Sequence, residues 1–232
     1  FPAMAHVQND TQRLNRAFRR ALAIVTMITL PVSVVLVVLA PEFVTVVLGP
    51  RWTGMILPFQ VLAATMLFRT SYKMSDSLAR ARGAVYRRAW RQWVYAAAVF
   101  AGALIGSHWG LGGVALGVGA AIVLNFLLML DLALRITGLS WGSVFGLHAR
   151  LGLAAAAVFA ATWAAAAWAR SQALHPVFVV MLGGTAALAV QGAVIGIGRP
   201  CLGADGAWAV RAIRERLGSM VLKFGARTRQ AV

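Results

Sequence analysis

The chain has 232 residues, of which 60% are hydrophobic and 12% are charged, and its mean hydropathy is +0.77. Soluble domains carry about 25% charged residues, so this composition excludes an ordinary water-soluble globular protein. The net charge of +16 does not indicate nucleic-acid binding, because the basic residues flank apolar runs and are not interleaved with aromatic residues on a soluble module.

The first 20 residues are predicted to form a cytoplasmic amphipathic segment. Residues 11–20 (TQRLNRAFRR) combine apolar side chains with four arginines, a pattern typical of a basic helix that lies on the cytoplasmic leaflet. The chain opens on Phe1 and no signal peptide precedes the first apolar run. We therefore expect it to be the C-terminal part of a longer protein.

Residues 21–198 are predicted to form a six-helix transmembrane domain, because their apolar runs approach the roughly 20 residues needed to cross a bilayer. Pro31 is expected to kink the first span, and a glycine-rich turn at 106–113 divides a long uncharged stretch into a helical hairpin. The fold class predicted is an all-α, polytopic transmembrane helix bundle. The spans are about 21–39, 55–78, 93–105, 111–130, 151–168 and 176–197.

Basic residues predict the orientation of these spans. Most of the 22 Lys and Arg residues lie in the N-terminal segment, in the loops after the second and fourth spans, and in a basic tail at 199–232. The alternate loops hold only Arg51 and Arg170. By the positive-inside rule, both termini are cytoplasmic in a bacterial inner membrane. The tail segment 206–226 is amphipathic and is expected either to rest on anionic lipid or to stay solvated.

Glycines recur every four residues in the third and fourth spans. Small residues at this spacing let helix backbones approach closely in lipid, so we expect them to pack helices together. The glycines are Gly102, Gly106 and Gly110, and then Gly113 and Gly117.

Arg69, Lys73 and Asp76 are the strongest functional signal, because ionisable groups at membrane depth cost about 2.5–3.5 kcal/mol each on insertion scales. Their spacing places all three on one helical face. One interpretation is a cationic patch that binds an anionic head group such as a phosphate or diphosphate, with Asp76 tuning the patch or exchanging a proton. The other is that the second span ends near Phe68 and that these side chains snorkel to the cytoplasmic interface.

Asn125 completes the predicted substrate-binding set, although an asparagine inside a span more often joins helices through hydrogen bonds. The same helix-joining role is expected of Gln60 and Gln191. Asp131 and Arg135 are expected to form an i, i+4 ion pair at the membrane interface.

No enzymatic chemistry is predicted. The four histidines do not have the spacing of metal ligands, the single cysteine, Cys201, provides no thiolate site, and the sequence contains no phosphate-binding P-loop. No serine or threonine is paired with a base that would activate it as a nucleophile. Neither a metal nor another cofactor is expected.

Several short motifs follow one another in the first part of the chain. They are 1–10 (FPAMAHVQND), 13–20 (RLNRAFRR), 30–31 (LP), 39–43 (LAPEF), 47–52 (VLGPRW) and 109–115 (WGLGGVA). The first three are similar to the pattern FPA-x-(S/A)-x-x-Q-x-D … R-x-x-x-R … LP of polysaccharide flippases. In order and spacing, the motifs resemble those of Wzx-type lipid-linked oligosaccharide transporters of the multidrug/oligosaccharidyl-lipid/polysaccharide exporter superfamily, and the likeness covers about residues 1–138.

The resemblance implies the C-terminal lobe of a two-lobed transporter that surrounds a central cavity. It implies flipping of undecaprenyl-diphosphate-linked oligosaccharide from the cytoplasmic to the periplasmic leaflet by alternating access, in polysaccharide, lipopolysaccharide or O-antigen biosynthesis. Basic cavity residues hold the diphosphate in such transporters, a role that Arg69 and Lys73 suit. The implied partners are the lipid-linked substrate, membrane lipids, an N-terminal lobe and other polysaccharide assembly proteins.

Two alternatives stay open at this point. An ion-coupled drug or cation antiporter of the same superfamily is expected to place acidic residues in its cavity, and here Asp76 is outnumbered by basic residues. A non-transporting membrane subunit of polysaccharide assembly is compatible with a chain that lacks one lobe. A membrane-embedded glycosyltransferase is disfavoured, because the predicted loops are short and contain no cluster of carboxylates.

Overall fold

A computed structural model describes residues 11–197 together with residues 208, 210 and 211. The described residues are mostly helical and include no strand, which confirms the all-α prediction. The rest of the predicted N-terminal segment and of the basic tail lies outside the described residues. The elements are α1 (Thr11–Val38), α2 (Ala40–Val47), a 3₁₀ helix (Pro50–Met55), α3 (Ile56–Ala64), α4 (Met66–Ala81), α5 (Val85–Ser107), α6 (Gly110–Thr137), α7 (Trp141–Ser171) and α8 (Pro176–Ile197).

Four helices in the described part of the chain are long and apolar enough to cross a membrane. The predicted second span is divided at Thr65 into the shorter helices α3 and α4. The predicted third span corresponds to α5, whose first half carries several arginines. The four helices correspond to α1, α6, α7 and α8, and fit a membrane-embedded protein.

Helix α1 joins the predicted amphipathic segment to the predicted first span. It runs without a break through Pro31 and begins at Thr11. Leu14 and Phe18, which form the apolar face of its first turns, are fully buried in the protein core. This differs from the surface-lying helix that the amphipathic pattern predicts, because neighbouring helices cover the apolar face that was expected to meet lipid.

The main hydrophobic core lies at one end of the bundle. It is formed by the N-terminal halves of α1 and α7 and by the C-terminal parts of α4 and α6. Val210 of the tail is fully buried in it, and Trp208 packs against it with the guanidinium of Arg20 4.7 Å from the ring centroid. These two tail residues therefore contact protein.

Helices α5 and α6 form the predicted hairpin and pack through their glycines. A Cβ atom added to Gly102 would lie 2.6 Å from the carbonyl oxygen of Gly117, and Gly106 faces Gly113 in the same way. The predicted packing role is confirmed for these four residues. Gly110 instead lies in the turn, with a φ of +70° and open space around it.

Candidate functional site

Arg69 and Lys73 lie one turn apart on α4, and both side chains are exposed. Together with Leu62, Met66 and Thr70 they line an open pocket of about 360 Å³. Within residues 11–197, neither cation has a hydrogen-bond or ion-pair partner. The pocket therefore presents two uncompensated positive charges beside apolar side chains.

The pocket lies where the predicted second span is interrupted. The hydroxyl of Thr65, between α3 and α4, donates to the carbonyl oxygens of Val61 and Leu62, both at 3.1 Å. Bonds of this kind from a threonine to the preceding turn commonly bend helices. Arg69 follows one turn later, and its own N–H still bonds to the Thr65 carbonyl at 3.0 Å.

Asp76 lies on the same helix as the two pocket cations but binds other arginines. Its carboxylate accepts hydrogen bonds from Arg80, at 2.6 Å, and from Arg88 at the start of α5. The side chain of Asp76 is mostly buried. The structure thus groups Arg69 with Lys73 in one pocket, whereas Asp76 does not line that pocket and binds Arg80 and Arg88. Arg80 stands four residues after Asp76, a spacing that already favours such a pair.

Asn125 is buried between α5 and α6 and does not line the pocket of Arg69 and Lys73. Its side-chain oxygen accepts a hydrogen bond from Gln92 at 3.3 Å. The helix-joining role predicted for the two glutamines is confirmed. Gln60 donates to the carbonyl oxygen of Val37, and Gln191 donates to that of Met27, each at 3.2 Å.

Asp131 binds two arginines at the end of α6. The predicted pair with Arg135 is confirmed, with an N–O distance of 2.9 Å. A second pair, with Arg91 at 3.0 Å, was not predicted. Arg91 also donates to the carbonyl oxygens of Leu128 and Arg87, which explains how a loop-flanking arginine becomes buried.

The larger pockets differ from the cationic one in their chemistry. One of about 640 Å³ lies beside the α5–α6 hairpin, and one of about 380 Å³ lies between α1 and α8. No charged side chain lines either of them. Across residues 11–197 and the three described tail residues, no three His, Cys, Asp or Glu side chains are grouped as metal ligands would be.

Comparison with known protein families gives a match at the start of the chain. Residues 1–57 match the family described as "Polysaccharide biosynthesis protein". The resemblance predicted from the motifs is confirmed there. The chain is also 34% identical, over 85 residues, to the lipopolysaccharide biosynthesis protein WzxC of Escherichia coli (strain K12).

That match covers 37% of this chain and 17% of WzxC, so the chain aligns with a small part of its relative. No solved structure matches the chain. The similarity therefore connects α1 and α2 to a polysaccharide biosynthesis family. The pocket on α4 lies beyond the 57 residues that match the family.

Proposed function

We propose that this chain is the C-terminal lobe of a flippase that moves undecaprenyl-diphosphate-linked oligosaccharide from the cytoplasmic to the periplasmic leaflet. It works by alternating access in polysaccharide and lipopolysaccharide biosynthesis, O-antigen assembly included, and it catalyses no covalent step. The similarity to WzxC and to the polysaccharide biosynthesis family supports the substrate class.

The proposal includes a membrane arrangement with six crossings. The broken helix pair α3–α4 and the helix α5 supply the two crossings beyond the four apolar helices. The arginine-rich ends of α4, α5 and α6 then lie on the cytoplasmic side of a bacterial inner membrane, as do both termini. Its partners are an N-terminal lobe, membrane lipids and other polysaccharide assembly proteins.

The observation that carries the proposal is the unpaired state of Arg69 and Lys73. Among the described residues, five arginines form ion pairs with carboxylates, whereas Arg69 and Lys73 face an open pocket without a counter-charge. The five are Arg80, Arg88, Arg91, Arg135 and Arg170. Charged residues in membrane segments pair with one another or mark a substrate pathway. A diphosphate supplies the missing negative charge, and Leu62 and Met66 offer an apolar wall beside it.

The antiporter alternative is less well supported. Such a transporter needs a carboxylate free to exchange its cation, and the nearest candidate on α4 is Asp76. Two arginines already bind Asp76. Asn125 has a partner in Gln92 and is proposed here to support substrate binding only through the packing of α5 on α6.

The proposal is tested by the double variant Arg69→Gln/Lys73→Gln in the complete protein, expressed in a strain that lacks its own copy of the gene. We expect surface polysaccharide to be lost and lipid-linked precursor to accumulate in the inner leaflet. The matched control is Arg150→Gln, an exposed arginine on α7 that has no partner within residues 11–197.

Immunoblots of the membrane fraction must show equal amounts of all variants. Normal polysaccharide display by the double variant, at normal protein level, would refute the role of these two residues. Loss of display in the Arg150→Gln control would show that charge in general, and not the pocket, is responsible. The variant Lys73→Arg, which keeps the positive charge, is expected to retain partial surface display of the polysaccharide.

A further inference from the structure

At the ends of α4, α5 and α6, four arginines form ion pairs with two aspartates. Each aspartate is shared by one arginine of α5 and one arginine of its own helix. Because the two α5 arginines are three residues apart, they lie on neighbouring positions of one helical face. We call the two groups the arginine triads. They are Arg80–Asp76–Arg88 and Arg91–Asp131–Arg135.

The triads retain positive charge and unused hydrogen-bond donors. Each contains two guanidinium groups and one carboxylate, so one charge in each is uncompensated. A guanidinium has five N–H groups. Arg135 uses only its Nε to reach Asp131, and Arg80 uses one Nη2, while their side chains are 70% and 52% exposed. The bound aspartates hold these side chains in place. Binding of an anion therefore costs less conformational entropy.

In the proposed arrangement of six crossings, the triads lie at the depth of lipid phosphates. Helix α6 is continuous from Gly110 to Asp131. At about 1.5 Å per residue this length is about 32 Å. The hydrocarbon core of a bilayer is about 30 Å thick. With the α5–α6 turn at one membrane surface, Asp131 and its arginines therefore lie at the other.

Aromatic residues on α5 favour a lipid over a soluble partner. Tyr86, Trp90 and Trp93 follow one helical face at spacings of four and three, and all three are exposed. Tyrosine and tryptophan are enriched where hydrocarbon meets head groups. Arg87, also exposed, lies among them. At about 100° per residue this face lies on the side of α5 away from Arg88 and Arg91, so it marks the membrane interface beside the triads and is not itself part of them.

We infer that the arginine triads form a binding surface for anionic phospholipid head groups, at the membrane interface that the aromatic face of α5 marks. Basic groups between transmembrane helices on the cytoplasmic side are suited to such lipids. The inference rests on the proposed membrane arrangement, but the surface uses neither Arg69 nor Lys73 and is therefore separate from the proposed substrate pocket.

The test measures the melting temperature of the purified complete protein in detergent with added phosphatidylglycerol or phosphatidylcholine. Binding to the folded state raises the melting temperature. The double variant Arg80→Gln/Arg135→Gln removes the two exposed arginines but leaves Arg88 and Arg91 to neutralise the aspartates. The matched control is Arg51→Gln, an exposed arginine of the 3₁₀ helix at the opposite end of the bundle.

Phosphatidylglycerol is expected to raise the melting temperature of the wild type and of Arg51→Gln by several degrees more than phosphatidylcholine does. The Arg80→Gln/Arg135→Gln variant is expected to lose at least half of this difference. An undiminished response in that variant would overturn the inference. An equal shift caused by inorganic phosphate alone would also overturn it, by showing a site for soluble anions.

Two further measurements keep the test decisive. If the double variant does not fold, Arg135→Gln alone replaces it, since the more exposed side chain contributes least to the fold. The Arg69→Gln/Lys73→Gln variant is expected to respond to phosphatidylglycerol like the wild type. If that variant shows a normal lipid response and normal polysaccharide display, the proposed role of Arg69 and Lys73 in transport is refuted, and the inference about the lipid surface is unaffected.

Discussion

The guanidinium of Arg170 donates hydrogen bonds to both carboxylate oxygens of Glu42, at 2.7 and 2.9 Å, across 128 positions of the chain. It also donates to the carbonyl oxygen of Val38 at 3.0 Å. Glu42 is buried, whereas the side chain of Arg170 is partly exposed. The pair joins the start of α2 to the end of α7, at the end of the bundle opposite the main core.

Glu42→Gln is expected to destabilise the protein by about 1–3 kcal/mol, because Arg170 loses its counter-charge and one strong acceptor. Arg170→Lys should have a similar effect, since an ammonium does not bind both carboxylate oxygens in the same planar geometry. Thermal unfolding of the purified protein measures both. The control Arg150→Gln should melt like the wild type, and an unchanged melting temperature for Glu42→Gln would show that the pair is not stabilising.

Gly102→Ala is expected to separate α5 from α6 locally, because the new methyl group would lie 2.6 Å from the Gly117 carbonyl oxygen. Overpacking of this kind costs about 1–3 kcal/mol. Thermal unfolding again provides the measurement. Gly152→Ala in α7 is the matched control, since no atom lies within 4 Å of its added Cβ. Equal melting temperatures for the two variants would contradict the close approach of the hairpin backbones.

Asp131→Asn and Arg135→Gln should differ strongly, although they break the same ion pair. Asp131→Asn leaves Arg91, whose side chain is only 11% exposed, without a counter-charge and should cost about 3 kcal/mol. Arg135→Gln removes an exposed partner and should cost about 0–1 kcal/mol. A comparison of the unfolding temperatures of the two variants tests this difference in stability. A larger effect of Arg135→Gln would reverse the assignment of Arg91 as the buried partner.

The six-span arrangement predicts opposite accessibility for the two ends of α5. In a Cys201→Ser background, Ser107→Cys should react with a membrane-impermeant maleimide added to intact cells in which the outer membrane is permeable. Arg87→Cys should react only after the inner membrane is opened. Protection of the cysteine at 107 from the external reagent would invert or remove the proposed hairpin crossing.

Much of the fold was predictable because lipid restricts the possible structures. A chain in hydrocarbon must satisfy its backbone hydrogen bonds internally, so long apolar runs predict helices directly. The last predicted span, 176–197, has the same bounds as α8. The glycine spacing likewise predicted the close packing at Gly102 and Gly117, because only a residue without a side chain permits it.

The candidate site was predictable only in part. Helical spacing placed Arg69, Lys73 and Asp76 on one face, but spacing along one helix contains no information about arginines of another. Arg88 lies 12 residues after Asp76 and reaches it because the start of α5 lies beside the end of α4. That contact gives Asp76 a partner outside the pocket and leaves the two pocket cations without a bound carboxylate.

The sequence by itself determined that this chain is helical, rich in apolar runs and asymmetrically basic, since these properties follow from composition and from the periodicity of single segments. Only the tertiary structure decided which polar groups meet. Glu42 and Arg170, or Arg91 and Asp131, are distant in sequence, and their pairing depends on how complete helices pack. The physical reason is that close packing between helix surfaces sets the position of each helix in lipid, and the charges at its ends then bind whichever opposite charges that packing brings within reach.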